Sequence, residues 1–588
     1  MSPEITKILV ANRGEIALRI MRTARAMGIR TVAVYSDADV DAAHVLAADE
    51  AIRLGEPGID SSAPAASYLN IPQLVAAAES TDADAVHPGY GFLSERSAFA
   101  QACADAGLTF IGPPARVIEA MGRKDAARDI AEKAGVPVLP AYRADSRDLE
   151  FPVLVKAAAG GGGKGMRIVR EAEELPDALV AAEREARAAF ADGTLLVERF
   201  IELGRHVEVQ VFADTFGNVI HLGERDCSAQ RRHQKVAEES PAPTIGPALR
   251  EQLHAAAVRL SETVGYVNAG TVEFLVAGDE FFLLEMNTRL QVEHPVTELV
   301  TGLDLVELQI RVARGEPLPL RQEDVRSTGH AIEVRVYAED AEHGFLPQAG
   351  SAGLVAWPTG PDVRVDAALR SFDEVAPWYD PMIGKVIAFG PDREAARLAL
   401  YDALGRTRID GLVTNLGFLR DLAGSAQFAD NRIDTGWLDR NPDLPLRPRL
   451  EPDGPTPFDR RDGWRLAGPA LPARAAAGAA APGRTGSDAA HQAPLDGTVR
   501  SPMPGTVIAL KVTAGQLVEA GEPLGAVEAM KMEHTLTAPL AGRVARVGAA
   551  VGEQVPIGAL LFEIEDPALP ASDAVGAPSA EPSEGDRS

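Results

Sequence analysis

The chain has 588 residues, 46% of them hydrophobic, and a net charge of −27. That length is too great for one core and implies about three to five domains, while the acidic balance excludes a general nucleic-acid binder, which needs a basic face to displace counterions. No run approaches the roughly 18 uninterrupted apolar residues of a membrane span; Met1 to Glu15 lacks the basic start and apolar run of a secretory leader; and the two cysteines, Cys103 and Cys227, form neither a disulfide framework nor a zinc cluster, so a cytoplasmic protein with no membrane partner is expected.

Lys7 to Ala11 reads as a short apolar strand, followed by Asn12-Arg13-Gly14-Glu15 and a helical pattern through Ala26. Strand, loop and helix then alternate to about Pro114, which predicts a parallel α/β unit. His87-Pro88-Gly89-Tyr90-Gly91 follows the short strand Ala85-Val86, where an open α/β sheet borders its ligand crevice; a plain turn fits the same residues. Residues 121–200 read as a smaller α/β unit. Within it, the strand Val153-Leu154-Val155-Lys156 leads through Gly160, Gly161, Gly162 and Gly163 into a second strand, Lys164-Gly165-Met166-Arg167-Ile168-Val169. A dinucleotide fingerprint needs a helix after the glycines, and a Walker A loop needs Ser or Thr after the lysine; neither condition is met. A strand–glycine loop–strand hairpin can close bare amides over triphosphate oxygens, with Lys156 reaching a phosphate as a point charge.

The basic run Arg231-Arg232-His233-Gln234-Lys235 stands out against the acidic background, although a solvated surface run reads the same way. Val272–Val276 and Phe281–Glu285 are predicted strands. If Gly278-Asp279-Glu280 forms the loop between them, Glu273 lies opposite Glu285. Two carboxylates paired across a ladder repel each other, and a hard cation between them removes the penalty. Continued alternation would point Glu285, Asn287, Arg289, Gln291 and Glu293 to one face. The apolar Phe281 and Leu283 precede them on that same face, which argues against an ordinary solvated surface. Arg289 offers a planar fork to a small oxyanion such as bicarbonate, Gln291 can orient it, and Glu293 can accept a proton. Arg335, on the alternating stretch from His330, supplies a second cationic face.

A Pro-, Gly- and Ala-dense segment from Glu451 to Ala493 reads as a linker, with a short island at Asp462-Gly463-Trp464-Arg465-Leu466. Beyond it the chain repeats itself. Ser501-Pro502-x-x-Gly505 recurs as Ala538-Pro539-x-x-Gly542, and Val507, Gly515, Val518, Gly521, Leu524 and Glu528 match Val544, Gly552, Val555, Gly558, Leu561 and Glu565 at the same spacing. Two similar β-rich halves are thus joined by Glu528-Ala529-Met530-Lys531-Met532, and a quasi-two-fold sandwich would put Lys531 at a hairpin tip. Residues 566–588 are polar and read as a disordered tail.

The repeat and its Met-Lys-Met centre resemble a biotin carrier domain, and the glycine hairpin resembles the flap of ATP-grasp ligases. Together with Asn12–Glu15, His87–Gly91, Arg225-Asp226-Cys227-Ser228 and Glu285-Met286-Asn287-x-Arg289-x-Gln291-Val292-Glu293-His294-Pro295, residues Lys7 to Arg449 resemble biotin carboxylase. The fold class implied is α/β (α+β) multidomain: an ATP-grasp biotin carboxylase followed by a β-sandwich carrier of the biotinyl/lipoyl type. The implied domains are an N-terminal α/β domain (1–120), an ATP-grasp domain (121–330, with a mobile lid at about 130–204), a C-terminal domain (331–450), a flexible linker (451–494), the carrier (495–566) and the tail (567–588). By the same resemblance, Lys124, Lys156, Gly161, Gly162, Gly163, Lys164, Gly165, Met166, Glu198, His206, His233, Glu273 and Glu285 would bind ATP. Glu273, Glu285 and Asn287 would hold Mg²⁺ or Mn²⁺; Lys235, Arg289, Gln291 and Val292 would bind bicarbonate; Glu293 would be the general base; Arg335 would stabilise the biotin enolate; and Lys531 would carry covalent biotin. Lys164 stands where many relatives have Arg, which keeps the charge and loses the fork.

Some forty residues between the two recognised regions leave no room for a carboxyltransferase, so a separate carboxyltransferase β-subunit is expected, and the resemblance also allows a small ε-subunit. The layout resembles actinobacterial-type acyl-CoA (acetyl-/propionyl-CoA) carboxylase α-subunits; a homo-oligomer within an α/β complex and modification by a biotin protein ligase are implied. Two other readings remain at this level. Another ATP-grasp ligase would share the flap and carboxylates but gives no reason for the repeat. A lipoyl-type carrier or scaffold would share the sandwich, and an avidin blot separates it. A flexible segment of about 40 residues spans roughly 35 Å root-mean-square and raises the local biotin concentration to about millimolar. Shortening 451–493 should therefore impair coupled carboxylation more than carboxylation of free biotin, and equal effects would contradict a swinging carrier.

Overall fold

The computed structural model describes residues 4–142, 149–157, 166–190, 193–232, 234–442, 444, 497–503, 505–529 and 532–565, in two compact units, 1–447 and 448–588. The glycine run, Lys164, Gly165, His233, Lys531, the linker with Asp462–Leu466 and the tail lie outside the described residues. No helix among the described residues is long and apolar enough to cross a membrane.

The first unit opens with a five-stranded parallel sheet in the order Glu50–Arg53, Arg30–Tyr35, Lys7–Val10, Ala85–His87, Thr109–Phe110. Lys7–Val10 is buried throughout, as the central strand of such a sheet must be, and helix Gly14–Ala26 covers it with Ile16, Ala17, Ile20, Met21 and Ala24. Because Lys7–Val10 and Ala85–His87 pair in parallel, the loops after both emerge at one end. There Asn12 Nδ2 donates to the carbonyls of Pro88 and Tyr90, both at 2.8 Å. The loop has no room for a side chain at Gly89, whose φ is 61° and whose Cβ would meet Asn12 Nδ2 at 2.9 Å.

The body of this unit is one eight-stranded antiparallel sheet: Glu280–Asn287, Asn268–Ala277, Arg205–Ala213, Val219–Arg231, Gln234–Ser240, His330–Tyr337, Met382–Gly390, Val363–Ala367. One face packs Val207, Val209, Val211, Val272, Phe274 and Val276 against helix Pro247–Val264. The hairpin between Asn268–Ala277 and Glu280–Asn287 corrects the sequence reading in two ways. Its loop is two residues, with Ala277 paired to Glu280, and a bulge at Leu284 then shifts the register so that Glu273 still faces Glu285. The bulge also reverses the faces: Phe281, Leu283 and Met286 enter the core, whereas Glu285 does not share their side. The strand ends at Asn287, so extended alternation does not run on to Glu293.

A separate four-stranded antiparallel sheet, Ala141–Tyr142, Leu195–Arg199, Val153–Ala157, Arg167–Val169, is backed by helix Leu175–Phe190 around Val153, Val155, Val169, Ala182 and Val197. Val153 pairs with Val169 and Val155 with Arg167, so the two strands on either side of the glycine run do form a hairpin pair.

The second unit holds two four-stranded antiparallel sheets: Thr498–Arg500, Leu560–Glu565, Gly542–Val547, Leu517–Val518; and Met532–Thr537, Pro523–Ala529, Gly505–Leu510, Gln554–Val555. Each strand has its repeat-mate at the equivalent place in the other sheet, as the internal repeat predicts. Pro523–Ala529 and Met532–Thr537 pair up to Ala529 opposite Met532, which puts Met530 and Lys531 in the connection between them.

Candidate active site

Four adjacent strands place charged residues in one row. Glu285 faces Glu273, Glu273 faces Glu208, and Glu208 faces Arg225. Like charges directly opposite are destabilising, so the row needs cations. Arg225, fully buried, donates Nε to Glu208 Oε1 at 2.5 Å and its Nη groups to Gln210, Thr271 and Thr297. Lys235 comes from the next strand, and its Nζ lies 2.6 Å from Glu208, 2.8 Å from Glu273 and 2.8 Å from Glu293. Burial opposes the ammonium, but the three carboxylates hold its proton affinity well above the ordinary lysine value.

Glu293 sits in the turn before helix His294–Thr301, with no exposure. Its other oxygen, Oε2, accepts from Arg335 Nη2 at 3.1 Å. Burial would raise this carboxyl; Lys235, Arg335 and Arg225 overcome burial and hold it well below the usual range. Glu273 is treated alike: burial raises it, whereas Lys235 and His206, whose Nε2 is 3.1 Å away, lower it further. Glu285 goes the other way, raised by burial and then by Glu273 and Glu95.

Where alternation fails after Asn287, side-chain hydrogen bonds gather the loop instead. Arg289 donates to Asn287 Oδ1 at 2.7 Å and Gln291 Oε1 at 3.1 Å, and Gln291 donates to Glu273 Oε1 at 3.1 Å. The backbone carbonyl of Val292 accepts from the buried Lys385 at 2.5 Å. The residues expected together on one extended face are therefore brought together by a folded loop.

Beside this cluster opens a cleft of about 560 Å³, lined by Lys124, Lys156, Glu198, Glu285 and Asn287 together with the apolar Met121, Val138, Leu196 and Met286. Lys156 contacts Glu198. Lys124 heads helix Lys124–Lys133, and burial, then the neighbouring Lys156, pushes its ammonium down. Met166 is half-buried just before Arg167–Val169. The cleft has the size and mixed lining of a small-molecule site, and two lysines on one wall suit a polyanion. Glu285, Glu273 and Asn287 form an all-oxygen set that fits a hard divalent cation bound with phosphate oxygens.

Several contributors went unread in the sequence. Glu95 pairs with Arg289 Nε at 3.0 Å and accepts from the Thr288 amide at 3.1 Å; it lies just past His87–Gly91, and its signal was that proximity. Glu208 was visible as the middle of His206, Glu208 and Gln210, alternating with Val207, Val209 and Val211. Lys385 is the only charge within the apolar strand Met382–Gly390.

Models of four families match the chain: "Biotin carboxylase, N-terminal domain" over residues 4–118, "Carbamoyl-phosphate synthase L chain, ATP binding domain" over 123–321, "Biotin carboxylase C-terminal domain" over 333–440, and "Biotin-requiring enzyme" over 497–564. A biotin carboxylase of Nostoc sp. is 48% identical over 443 residues, covering 74% of this chain and 98% of that protein. The chain belongs to the biotin carboxylase family. The methylcrotonoyl-CoA carboxylase subunit alpha, mitochondrial, of Glycine max is 52% identical over 448 residues, which cover 74% of this chain and 60% of that protein. Among solved structures, a biotin carboxylase–βγ-ATP complex from Campylobacter jejuni superposes with a TM-score of 0.71 at 44% identity, covering 74% of this chain and 99% of that one. The biotin carboxylase domain dimer of Hydrogenobacter thermophilus 2-oxoglutarate carboxylase, in complex with MgADP, ADP and bicarbonate, superposes with a TM-score of 0.71 at 42% identity, covering 75% and 98%. This biotin carboxylase thus joins an ATP-binding ligase to a biotin-requiring carrier domain on one chain.

Cutting the buried row should be costly. Arg225→Met leaves Glu208 short of its partner, and denaturant unfolding should show a loss of about 3–5 kcal/mol. Arg408→Met, which breaks the exposed pair with Asp410, should cost under about 1 kcal/mol. Equal losses would mean that the buried row contributes no more than a surface pair.

Proposed function

We propose that this chain carboxylates biotin on Lys531 with bicarbonate and ATP, and delivers the carboxyl group to a separate carboxyltransferase β-subunit of an acyl-CoA carboxylase. The observation that carries the reading is Glu293, fully buried between Lys235 on one oxygen and Arg335 on the other, in a cluster whose Glu285 and Asn287 line a cleft with Lys124 and Lys156.

In this reading ATP lies in the cleft. Lys124, Lys156 and residues 160–165 hold its phosphates, Glu198, His206 and His233 hold the rest, and Glu273, Glu285 and Asn287 would hold a Mg²⁺ or Mn²⁺, which would supply charge neutralisation for the phosphates. Bicarbonate sits against the Arg289 fork, with Gln291, the Val292 backbone and Lys235 around it. Glu293 removes its proton, and the resulting dianion attacks the γ-phosphorus, giving carboxyphosphate as the bond to ADP breaks. Glu293's low basicity in the free protein suits this order of events. An anion beside Lys235 gives the ammonium a fourth partner and so weakens its hold on Glu293, raising its basicity when a base is needed. Arg335 presents positive charge where oxyanion character develops once carboxyphosphate releases CO₂. Biotin supplies the ureido nitrogen that accepts the carboxyl group.

The subunit role is supported by relatives named subunit alpha, which the chain matches at 52% identity. The chain spans 60% of the length of those subunit-alpha relatives. Two acceptors compete. The layout suits an acetyl- or propionyl-CoA carboxylase of actinobacterial type, making malonyl- or methylmalonyl-CoA, while the names of the subunit-alpha relatives favour 3-methylcrotonyl-CoA.

Glu293→Ala should lower biotin-dependent ATP cleavage by about 10²-fold or more with an unchanged circular dichroism spectrum; normal turnover removes Glu293 as the base. Avidin should detect the wild type and not Lys531→Ala. Co-purification that recovers no carboxyltransferase would sink the subunit assignment, and assaying the recovered complex with acetyl-, propionyl- and 3-methylcrotonyl-CoA decides the acceptor.

A further inference from the structure

Arg335 is held less by Glu293 than by a carboxylate to which nothing above gives a role. Its Nε and Nη2 both lie 2.6 Å from Glu238 Oε1, whereas Nη2 reaches Glu293 Oε2 at 3.1 Å. Glu238 is 1% exposed, and its second oxygen, Oε2, has no hydrogen-bond partner among the described residues. A lone structural anchor for an arginine would place its carboxylate bidentately and satisfy both oxygens. Here one oxygen accepts from Nε and lies against Nη2, and the other is buried unused.

We propose that Glu238 is a positioning residue that shares the charge of Arg335 with Glu293, so that the proton occupancy of Glu238 sets how strong a base Glu293 can be. With Glu238 ionised, Arg335 divides its positive charge between two carboxylates and leans toward Glu238. With Glu238 protonated, the full guanidinium charge falls on Glu293, whose proton affinity drops further. Activity then falls as the pH falls.

The groups facing Glu238 decide where that switch lies. Arg335 and Glu333 come from the neighbouring strand His330–Tyr337, with Glu333 directly opposite Glu238 in the ladder. Glu293 comes from the turn before helix His294–Thr301, Lys235 from Glu238's own strand, and Cys227 from Val219–Arg231. Glu333 is raised well above the usual range by burial, with Lys385 opposing, and Cys227 is likewise raised by burial. Lys235 and Arg335 stay charged. Burial and Glu293 push Glu238 up against the pull of Arg335 and Lys235, to about 7. Among these groups Glu238 is therefore the one that changes charge near neutrality.

The inference rests on the biotin carboxylase reading of this site, and the experiment separates the two. Biotin-dependent ATP cleavage by the full chain is measured from pH 6 to 9, together with KM for ATP and bicarbonate. The wild type should show an acid limb near pH 7. Glu238→Gln keeps a neutral acceptor for Arg335, so kcat at high pH should fall about tenfold and the limb should flatten, with both KM values within about twofold. A merely structural role would lower the melting temperature and scale the whole profile without moving the limb. A Glu238→Gln profile superimposable on the wild type overturns the proposal. Should that variant fail to fold, Glu238→Asp carries the test: the shorter arm draws the charge away from Arg335 and must shift the limb, and an unmoved limb overturns it equally. A wild type with no biotin-dependent cleavage at any pH brings down the site reading itself rather than this inference alone.

Discussion

Glu208 and Glu273, paired across neighbouring strands with the exposed Glu285 next in the row, could not be buried side by side without a cation at their focus. Lys235 supplies it, and by reaching Glu293 as well it ties the turn before helix His294–Thr301 to the sheet. The site's other features follow from that one ammonium. Glu208 is held by Arg225 and Lys235, Glu273 stays ionised through Lys235 and His206, and Glu293 stays ionised in full burial through Lys235 and Arg335. Glu285, at the far end of the row, is raised by desolvation and then by Glu273 and Glu95, and of the three it is the one that lines the cleft.

The same cluster joins regions that three different family models describe. Lys385, on Met382–Gly390, holds the Val292 carbonyl and lies 3.7 Å from Glu15 and 3.8 Å from Glu333. Glu15 belongs to the first helix of the parallel sheet, Val292 to the loop that follows Glu280–Asn287, and Lys385 to the C-terminal strands. Burial raises Glu15 to about 7 against the opposing pull of Lys385. An uncompensated charge at any of these positions would be expensive, which ties the mutual placement of the three regions to the geometry of the reacting groups.

Much of this was legible in the sequence. The KILV strand, the helix from Gly14, the hairpin flanking the glycine run and the repeat's two matching sheets all follow from local periodicity, which short-range sterics and burial dictate. The opposition of Glu273 and Glu285 was also legible, but for an incomplete reason: a shorter loop and a bulge at Leu284 cancel, and no local pattern announces a bulge in Phe281-Phe282-Leu283-Leu284. The face assignment of Phe281 and Leu283 failed for that same cause. Glu95, Glu238 and Lys385 were missed because their significance is tertiary; a lone glutamate or lysine in a strand says nothing of which guanidinium or carbonyl the fold will bring to it. The backbone of Lys531's hairpin agrees with the repeat up to Ala529 and Met532.

The central sheet runs unbroken from Glu280–Asn287 to Val363–Ala367, so the strands carrying Lys235, Glu273 and Arg335 share one hydrogen-bonded ladder. The sheet that carries Lys156 is not part of it. It has four strands, one long helix and a core of its own built around six buried residues. A unit so small has little free energy of its own to lose on opening. The described residues therefore comprise a continuous slab that fixes Lys235, Glu273 and Arg335 against one another and a light flank, carrying Lys156, whose core is separate, so a local opening there would cost less than one in the slab.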